Sequence, residues 1–291
     1  MGYDEVEPVS LGIITDVQYA NKPDVFIEHV GKIRLYSKVL SKTSASIKFI
    51  NQRKVSCLLH LGDIIDGNET ITKTQYDLSE VLKTFDQSRA PLWHVIGNHC
   101  LDAGRPHLLD RFGLNEAYYS RDFGNWRVIV LDTVEVSVHR VDNTELVEQA
   151  REFLEQNSSL PNAKDWNGGM SLCQKSWLRD TLSDASRRRM KSIVCGHLPI
   201  VANDHLQEHV MWESHWLVDL FTEYKHVVKA YFAGHFHQGG YVSRNGVHYV
   251  TCESVIDSSS LEGSAGIVDL WQDRIDITGY GDMTSRTLLL E

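Results

Sequence analysis

Long hydrophobic runs are missing from this sequence. Nowhere in its 291 residues do about 18 apolar residues follow one another, the length a helix needs to cross a bilayer, so no membrane span is expected. The stretch Met1 to Ser10 is acidic and short, with neither the basic start nor the apolar middle of a secretory leader, and the expectation is a soluble cytoplasmic protein. Cations are scarce as well: 29 Lys and Arg against 39 Asp and Glu give a net charge of −10. Binding to a polynucleotide is driven by neutralising its phosphates, so a nucleic-acid polymer is not an expected partner, and a small anionic substrate would need local cations or metal ions. Cysteine is limited to Cys57, Cys100, Cys173, Cys195 and Cys252. The set is odd and widely spaced, and three of them (57, 195 and 252) lie in apolar strand-like runs, which reads as reduced core thiols and not as a disulfide framework or a zinc knuckle. No linker or internal repeat interrupts the chain. With 42% apolar residues available for a core, residues 1–291 read as one domain, for which a monomer is the simplest state.

What is present is a series of apolar strands that stop at small or chelating residues. Val9 to Thr15 runs into Asp16-Val17-Gln18. A helix from about His29 to Gln52 leads to the strand Val55 to Leu61, which stops at Gly62-Asp63-Ile64-Ile65-Asp66-Gly67; a helix from about Thr72 to Gln87 precedes Pro91 to Ile96, which stops at Gly97-Asn98-His99. The alternation is β-α-β. After a short helix around Pro106 to Phe112, the turn Phe123-Gly124-Asn125 joins Tyr118 to Asp122 and Trp126 to Asp132 as a hairpin, so the sheets are mixed. Helices follow at Glu145 to Gln156 and at about Ser171 to Ala185, the latter with Leu172, Trp177 and Leu178 inward. Strand Ser192 to Cys195 then stops at Gly196-His197. Helix 208–224 turns Val210, Met211, Leu217, Val218, Leu220 and Phe221 to the core, and Val227 to Ala233 delivers Gly234-His235-Phe236-His237. Arg244-Asn245-Gly246 is a hairpin turn between Tyr241-Val242 and Val247 to Thr251, and alternating strands from 265 to about 279 finish the chain.

Side chains two apart on extended backbone project to one side, so His235 and His237 can enter one pocket while Phe236 points away; Asp16 and Gln18 share a face in the same way. Fourteen histidines will produce an H-x-H by chance, and the pair gains meaning only from the other strand ends. Asp63, Asn98 and His197 each follow a glycine that relaxes the backbone so that a side chain can reach inward. Two carboxylates, two carboxamides and three imidazoles suit hard or borderline divalent ions such as Mn²⁺ or Fe²⁺, and the absence of cysteine at these positions argues against structural zinc. Two ions roughly 3.5–4 Å apart need a bridging ligand, for which Asp63 is the sensible choice.

The five motifs, in this order, resemble the signature of the calcineurin-like metallophosphoesterases: Asp-x-His, Gly-Asp, Gly-Asn-His, Gly-His and Gly-His-x-His. The resemblance implies an α/β sandwich of two mixed β-sheets flanked by helices, one metal held by Asp16, Gln18, Asp63 and His237, and a second held by Asp63, Asn98, His197 and His235. Gln18 stands where most members have histidine. Together with Thr15 to Ala20, Val130 to Thr133, Trp166-Asn167-Gly168-Gly169 and Cys252-Glu253-Ser254, it resembles the branch of manganese-dependent ADP-ribose/CDP-alcohol diphosphatases. A neutral amide oxygen is a harder, weaker ligand than imidazole and favours Mn²⁺ over Zn²⁺, with Fe²⁺, Zn²⁺ and Mg²⁺ as further candidates. Cys100 departs from the acidic residue often found at that place in the wider family. The activity implied is direct hydrolysis of a nucleoside diphosphate derivative without a phosphoenzyme, with His99 stabilising the transition state or protonating the leaving oxygen. By analogy with that branch, Tyr19, Phe26, Asn167, Gly168, Cys252 and Glu253 would surround the substrate. A cyclic-nucleotide phosphodiesterase uses the same motifs and is the alternative; a non-catalytic scaffold on this fold is the more distant one, and predicts lost ligands. His60 and His94, inside apolar strands, read as core, and His205, His209, His215, His226 and His248 carry no motif context and no assigned role.

Overall fold

The computed structural model describes residues 7–28, 32–202 and 206–290. In chain order the strands are β1 Val9–Ile14, β2 Val25–Ile27, β3 Lys32–Arg34, β4 Leu58–His60, β5 Leu92–His94, β6 Tyr119–Phe123 and β7 Trp126–Val130. They continue as β8 Lys191–Cys195, β9 Val228–Ala233, β10 Gly240–Arg244, β11 Val247–Thr251, β12 Ser264–Leu270, β13 Arg274–Gly281 and β14 Arg286–Leu289. The helices are α1 Val39–Ile50, α2 Ile71–Phe85, α3 Arg105–Phe112, α4 Thr144–Gln156, α5 Leu172–Arg187 and α6 Ser214–Glu223.

Two six-stranded sheets result, in the orders β14-β13-β12-β1-β4-β5 and β10-β11-β9-β8-β7-β6. In the first, β1, β4 and β5 run parallel while β12 pairs antiparallel with β1. In the second, β7, β8, β9 and β11 run parallel and the two outer strands close the edges antiparallel. Alternation along each strand assigns the faces. Leu11, Ile13, Leu59, Val128, Val130, Ile193, Phe232 and Val250 meet in one cluster between the sheets, whereas Ile14, Leu58, Ile129 and Val194 join α1, α2, α5 and α6 residues in the outer cluster. Strands covered on both faces read as continuous apolar runs, which is why they stood out in the sequence. The sandwich with flanking helices is the architecture the motifs implied. No described helix is long and apolar enough to cross a membrane.

Several elements differ from the sequence reading. The expected helix 29–52 starts only at Val39; ahead of it lie the β2–β3 hairpin, with Phe26 opposite Ile33, and a 3₁₀ turn Tyr36–Lys38. Val-Phe-Ile and the alternating Lys-Ile-Arg favour cross-strand pairing over helix. His29 and His205 lie outside the described residues, as does most of the acidic N-terminal stretch. The helix expected over 208–224 is a 3₁₀ turn Gln207–His209 and then α6, separated by Glu213 in the left-handed region (φ 50°). Val210 and Met211 are nonetheless buried. Leu172, expected inward, is 81% exposed as the first residue after the Ser171 cap, and the inner face of α5 is Gln174, Leu178, Leu182 and Ala185. β14 lies beyond the alternating strands expected to end near residue 279.

Every candidate ligand sits just beyond the carboxyl end of a parallel strand: Asp16 and Gln18 after β1, Asp63 after β4, Asn98 after β5, His197 after β8, and His235 and His237 after β9. The two sheets therefore bring five loops to one edge, the place where open α/β sheets bind ligands.

Candidate dinuclear metal centre

Four of the seven candidate ligands have left-handed backbones: Asp16 (φ 48°), Gln18 (45°), Asp63 (54°) and His235 (67°). Each such conformation costs a non-glycine residue about 1–3 kcal/mol and persists only where the surroundings impose it. Here the loops lock one another, since Asp16 N–H donates to Gly62 O (3.1 Å) and Gln18 N–H to Asp63 O (2.8 Å). The ligand pairs thus lie in turns past their strands, and their shared direction comes from these turns, not from the extended backbone that the spacing implied. Of the glycines expected to relax the backbone, Gly62 does so (φ 101°), while Gly97 and Gly196 act differently. Gly97 has no positive φ, but a Cβ there would lie 2.2 Å from Asp63 Oδ1, and one at Gly234 would lie 2.0 Å from Thr15 Oγ1 and 2.3 Å from Asp16 Oδ2. They permit close approach of the loops.

Asp63 is central and fully buried. Its Oδ2 lies 3.1 Å from His197 Nε2 and 3.4 Å from Gln18 Nε2, and its Oδ1 accepts the His99 N–H at 2.9 Å. His197 Nδ1 lies 2.9 Å from Leu61 O, so the ring donates there and turns Nε2 toward Asp63 and toward Asn98 Oδ1, 3.1 Å away. His237 is oriented in the same way by Asp257, whose Oδ2 is 2.5 Å from Nδ1, leaving Nε2 3.4 Å from Asp16 Oδ1 and 3.2 Å from Gln18 Nε2. His235 Nε2 lies 3.1 Å from Asn167 Oδ1. Ligand atoms of Asp63, His197 and His235 all fall within 4.8 Å of one another.

Two buried oxygens in this cluster, Asp16 Oδ1 and Gln18 Oε1, have no hydrogen-bond partner. Buried polar atoms are otherwise nearly always satisfied, and a carboxylate oxygen without a donor is costly; divalent cations would satisfy both. A half-turn of the Gln18 amide exchanges its ends and puts the oxygen where Nε2 lies, beside His237 and Asp63. The electrostatics fit the same chemistry. Burial would lower the His197 pKa, but the charge and hydrogen bond of Asp63 hold it above the usual imidazole range; burial would raise Asp63, but His197 and His99 hold it well below the usual carboxylate range. For His237, burial is overcome by Asp16 and Asp257 and the pKa rises to about 9. His235, with burial and the neighbouring His197 and His209 acting together, lies well below its ordinary value. A donor set that is anionic at its centre and holds protons only through its own carboxylates is one that cations can take over.

Above the cluster opens a cavity of about 930 Å³. Gln18, Asn98, His235 and His237 reach its wall, as do His99 and Glu253, and Phe236, expected to point away, lines it too because the segment past β9 is a turn and not a strand; Asp16, Asp63 and His197 lie beneath with no exposed surface. His99 is held through Nδ1, 3.3 Å from Asp66 O and 3.5 Å from Asp66 Oδ1. Five expected substrate contacts are not on the wall. Tyr19 is half-buried, packs against the core and has Asp77 and Glu80 of α2 as its charged neighbours, while Phe26 is 57% exposed on the β2–β3 hairpin. Cys252 belongs to the core between the sheets. Asn167 is fully buried, donating to Asn162 O and Glu208 O while facing His235, and Gly168 packs against Val134 with its carbonyl accepting from Trp212 N–H. That segment supports the site, and its wall residue is Trp166.

The cavity also contains residues the sequence did not single out. Arg34 of β3 is paired with Asp257 (3.1 and 3.0 Å) and lies 3.4 Å from His237 Nδ1. It was hidden by the helix assigned to its segment. His209, which has no motif context in the sequence, packs at 5.3 Å on His235 and 5.2 Å on Phe236. Asp257 stands alone in a serine-rich loop with no motif to mark it. Asp66 was visible in the Gly62 to Gly67 run, but only the structure shows it gathering Lys22 (3.1 Å), Tyr36 (2.5 Å) and His99.

A profile of the calcineurin-like phosphoesterase family matches residues 9–239. The chain belongs to the calcineurin-like phosphoesterases. Among members of known activity, this phosphoesterase is 32% identical over 310 residues to a manganese-dependent ADP-ribose/CDP-alcohol diphosphatase of Oryza sativa, covering 98% of this chain and 95% of that protein. The enzyme of that name from Bos taurus is 29% identical, with 96% and 93% covered. The crystal structure of a dimetal phosphatase from Danio rerio superposes with a TM-score of 0.89 at 25% identity, covering 98% of this chain and all of that one. GAP50, the anchor in the inner membrane complex of Plasmodium, shares the fold at 13% identity and a TM-score of 0.67, with 98% and 90% covered.

Proposed function

We propose that this phosphoesterase hydrolyses the diphosphate bond of nucleoside diphosphate derivatives of the ADP-ribose or CDP-alcohol type, giving a nucleoside monophosphate and a phosphorylated sugar or alcohol. The observation that carries the reading is Gln18, a carboxamide among the seven converging donors, in a chain similar over nearly its whole length to diphosphatases of that specificity. Two divalent cations, Mn²⁺ foremost, would be held by Asp16, Gln18, Asp63 and His237 and by Asp63, Asn98, His197 and His235, with Asp63 common to both sets. Bound there, they supply Lewis-acid activation of water and neutralise the phosphoryl oxygens. His99, fixed at Nδ1 by Asp66, has Nε2 free to donate a proton to the departing oxygen. Arg34 brings to the wall the local cation that an acidic protein needs for an anionic substrate. Trp166, His209 and Phe236 offer flat faces to a nucleobase. Free cysteines throughout the described chain support a reducing compartment, and we read the protein as a one-domain cytoplasmic monomer.

Product analysis with ADP-ribose, CDP-choline and cyclic AMP, each with Mn²⁺ and with Mg²⁺, tests this. Nucleoside monophosphate formed from the two diphosphates, fastest with Mn²⁺, is the expected result. Faster opening of cyclic AMP would make the protein a phosphodiesterase, and no turnover with any metal would make it a scaffold.

A further inference from the structure

The cavity has two chemically distinct sides. Next to His235 lie the aromatic groups: His209 packs on both His235 and Phe236, and Trp166 adjoins Asn167, which contacts His235. Next to His237 the wall is acidic and hydroxylated: Glu253, Asp257 and Asp282 with Ser254, Ser258 and Thr284. Asp257 is neutralised by Arg34 and His237. The other two carboxylates are not. Among the described residues Glu253 accepts only from Thr284, at its hydroxyl (2.5 Å) and N–H (3.3 Å), and Asp282 accepts from Ser259 and from Ser260 N–H. The nearby Lys42 ammonium is buried and donates to Ile256 O and Ser258 O. No Lys or Arg nitrogen lies within 4.0 Å of either carboxylate among the described residues.

Two unpaired negative charges facing an open cavity in a protein of net charge −10 repel phosphate and attract cations. A substrate whose diphosphate lies over the metal cluster and whose base lies on the aromatic side has its remaining group beside Glu253 and Asp282. We propose that this acidic side is the subsite for the alcohol or sugar, and that Glu253 and Asp282 make it selective, favouring cationic and hydroxyl-rich groups and rejecting anionic ones such as a third phosphate. The assignment rests on the diphosphatase reading above and adds to it which residues read the leaving group. Ser254 and Ser258 are buried and bonded within their own loop, so the Thr284 hydroxyl, exposed beside Glu253, is the one of the three that a polyol can reach, and a quaternary ammonium can approach this side without losing a partner.

The test compares kcat/KM, with Mn²⁺, for CDP-choline, CDP-glycerol and cytidine triphosphate. Wild type is expected to turn over the triphosphate at least about tenfold less efficiently than either ester. Glu253→Gln, whose amide oxygen still accepts from Thr284, and Asp282→Asn should each lower the choline-to-glycerol ratio by about 3–5-fold. Raising the salt from about 0.05 to about 0.5 M should shrink that ratio in wild type, a reading independent of how the variants fold. A ratio unchanged within about twofold in both variants and insensitive to salt overturns the subsite while leaving the diphosphatase intact. A wild type that cleaves none of these compounds, nor ADP-ribose, overturns the diphosphatase reading and the subsite with it.

Discussion

The chemistry of this protein is concentrated in side chains held at some cost. Asp63 combines full burial, a left-handed backbone and contacts to His197, Gln18 and the His99 amide, and in the proposed centre it is the carboxylate common to both cations. Asp63→Asn should therefore leave fewer than two metals per chain and abolish turnover, because the like charges of two ions would lose their common anion. Metal analysis alongside activity decides it, and a variant with two bound metals and near-normal rate would remove Asp63 from that role. Gln18 stands where the Asp-x-His motif that this chain resembles has histidine. Replacing its carboxamide by imidazole in Gln18→His should strengthen Zn²⁺ binding more than Mn²⁺, since zinc gains more from nitrogen ligation. The ratio of kcat/KM for ADP-ribose in Mn²⁺ to that in Zn²⁺ should fall. If it stays put, metal preference is set by the groups that orient the ligands, Asp257 first among them.

At the scale of elements, the site is made by the ends of β1, β4, β5, β8 and β9, and this much was legible because each strand, covered on both faces, is an apolar run that breaks abruptly at its ligand. The turn geometry was not legible. Spacing alone treats Asp16 and Gln18 as neighbours on a strand, whereas β1 ends at Ile14 and both residues adopt positive φ. Nor could the sequence deliver the second layer of contacts. Arg34 was concealed by a segment whose alternation is too short to outweigh the helical residues that follow it, and Asp257 and His209 reach the site from loops in which no periodicity operates. The glycines show the difference most sharply: they mark the site in the sequence, but only Gly62 does so through a positive φ, and at Gly97 and Gly234 the reason is steric. Gly97→Ala tests that reason. Its new Cβ would meet Asp63 at 2.2 Å from Oδ1 and 2.6 Å from N, atoms with no room to retreat. Metal affinity should drop and kcat fall by about 10²-fold, the effect of a shift near 1 Å in a catalytic group. The urea midpoint should show only the about 1–3 kcal/mol of local overpacking. Full activity in this variant would mean that the two loops can part without cost.

At the scale of the whole molecule, two groups of buried histidines give stability pH dependences of opposite sign. His60 and His94 pair directly across β4 and β5, fully within the core, with His60 edge-on to Phe85 and His94 stacked on Phe112 at 3.8 Å. Burial pushes His94 down to about 3 and His60 well below its ordinary value, so both are neutral in the folded protein. The unfolded chain takes up these protons near pH 6.5 and the folded chain does not. Their contribution is thus fully present above about pH 6.5 and is lost as pH falls toward 3, at about 1.4 kcal/mol per unit for each histidine once the unfolded form is protonated. His197 and His237 act with the other sign in the metal-free protein. Their raised pKa values add stability that is fully present below about 6.5 and lost as pH climbs, through about 9 for His237. A pH scan of wild type alone therefore mixes two cores of opposite slope, one structural and one functional. Comparing metal-free wild type with His94→Leu cancels the site, which both proteins share. The variant's urea midpoint should change less between pH 7 and pH 5 than that of wild type, the gap in unfolding free energy narrowing or inverting toward acid by about 1–2 kcal/mol. Parallel curves for the two proteins would show that His94 is protonated in the folded state, and that the stacking on Phe112 holds an imidazolium.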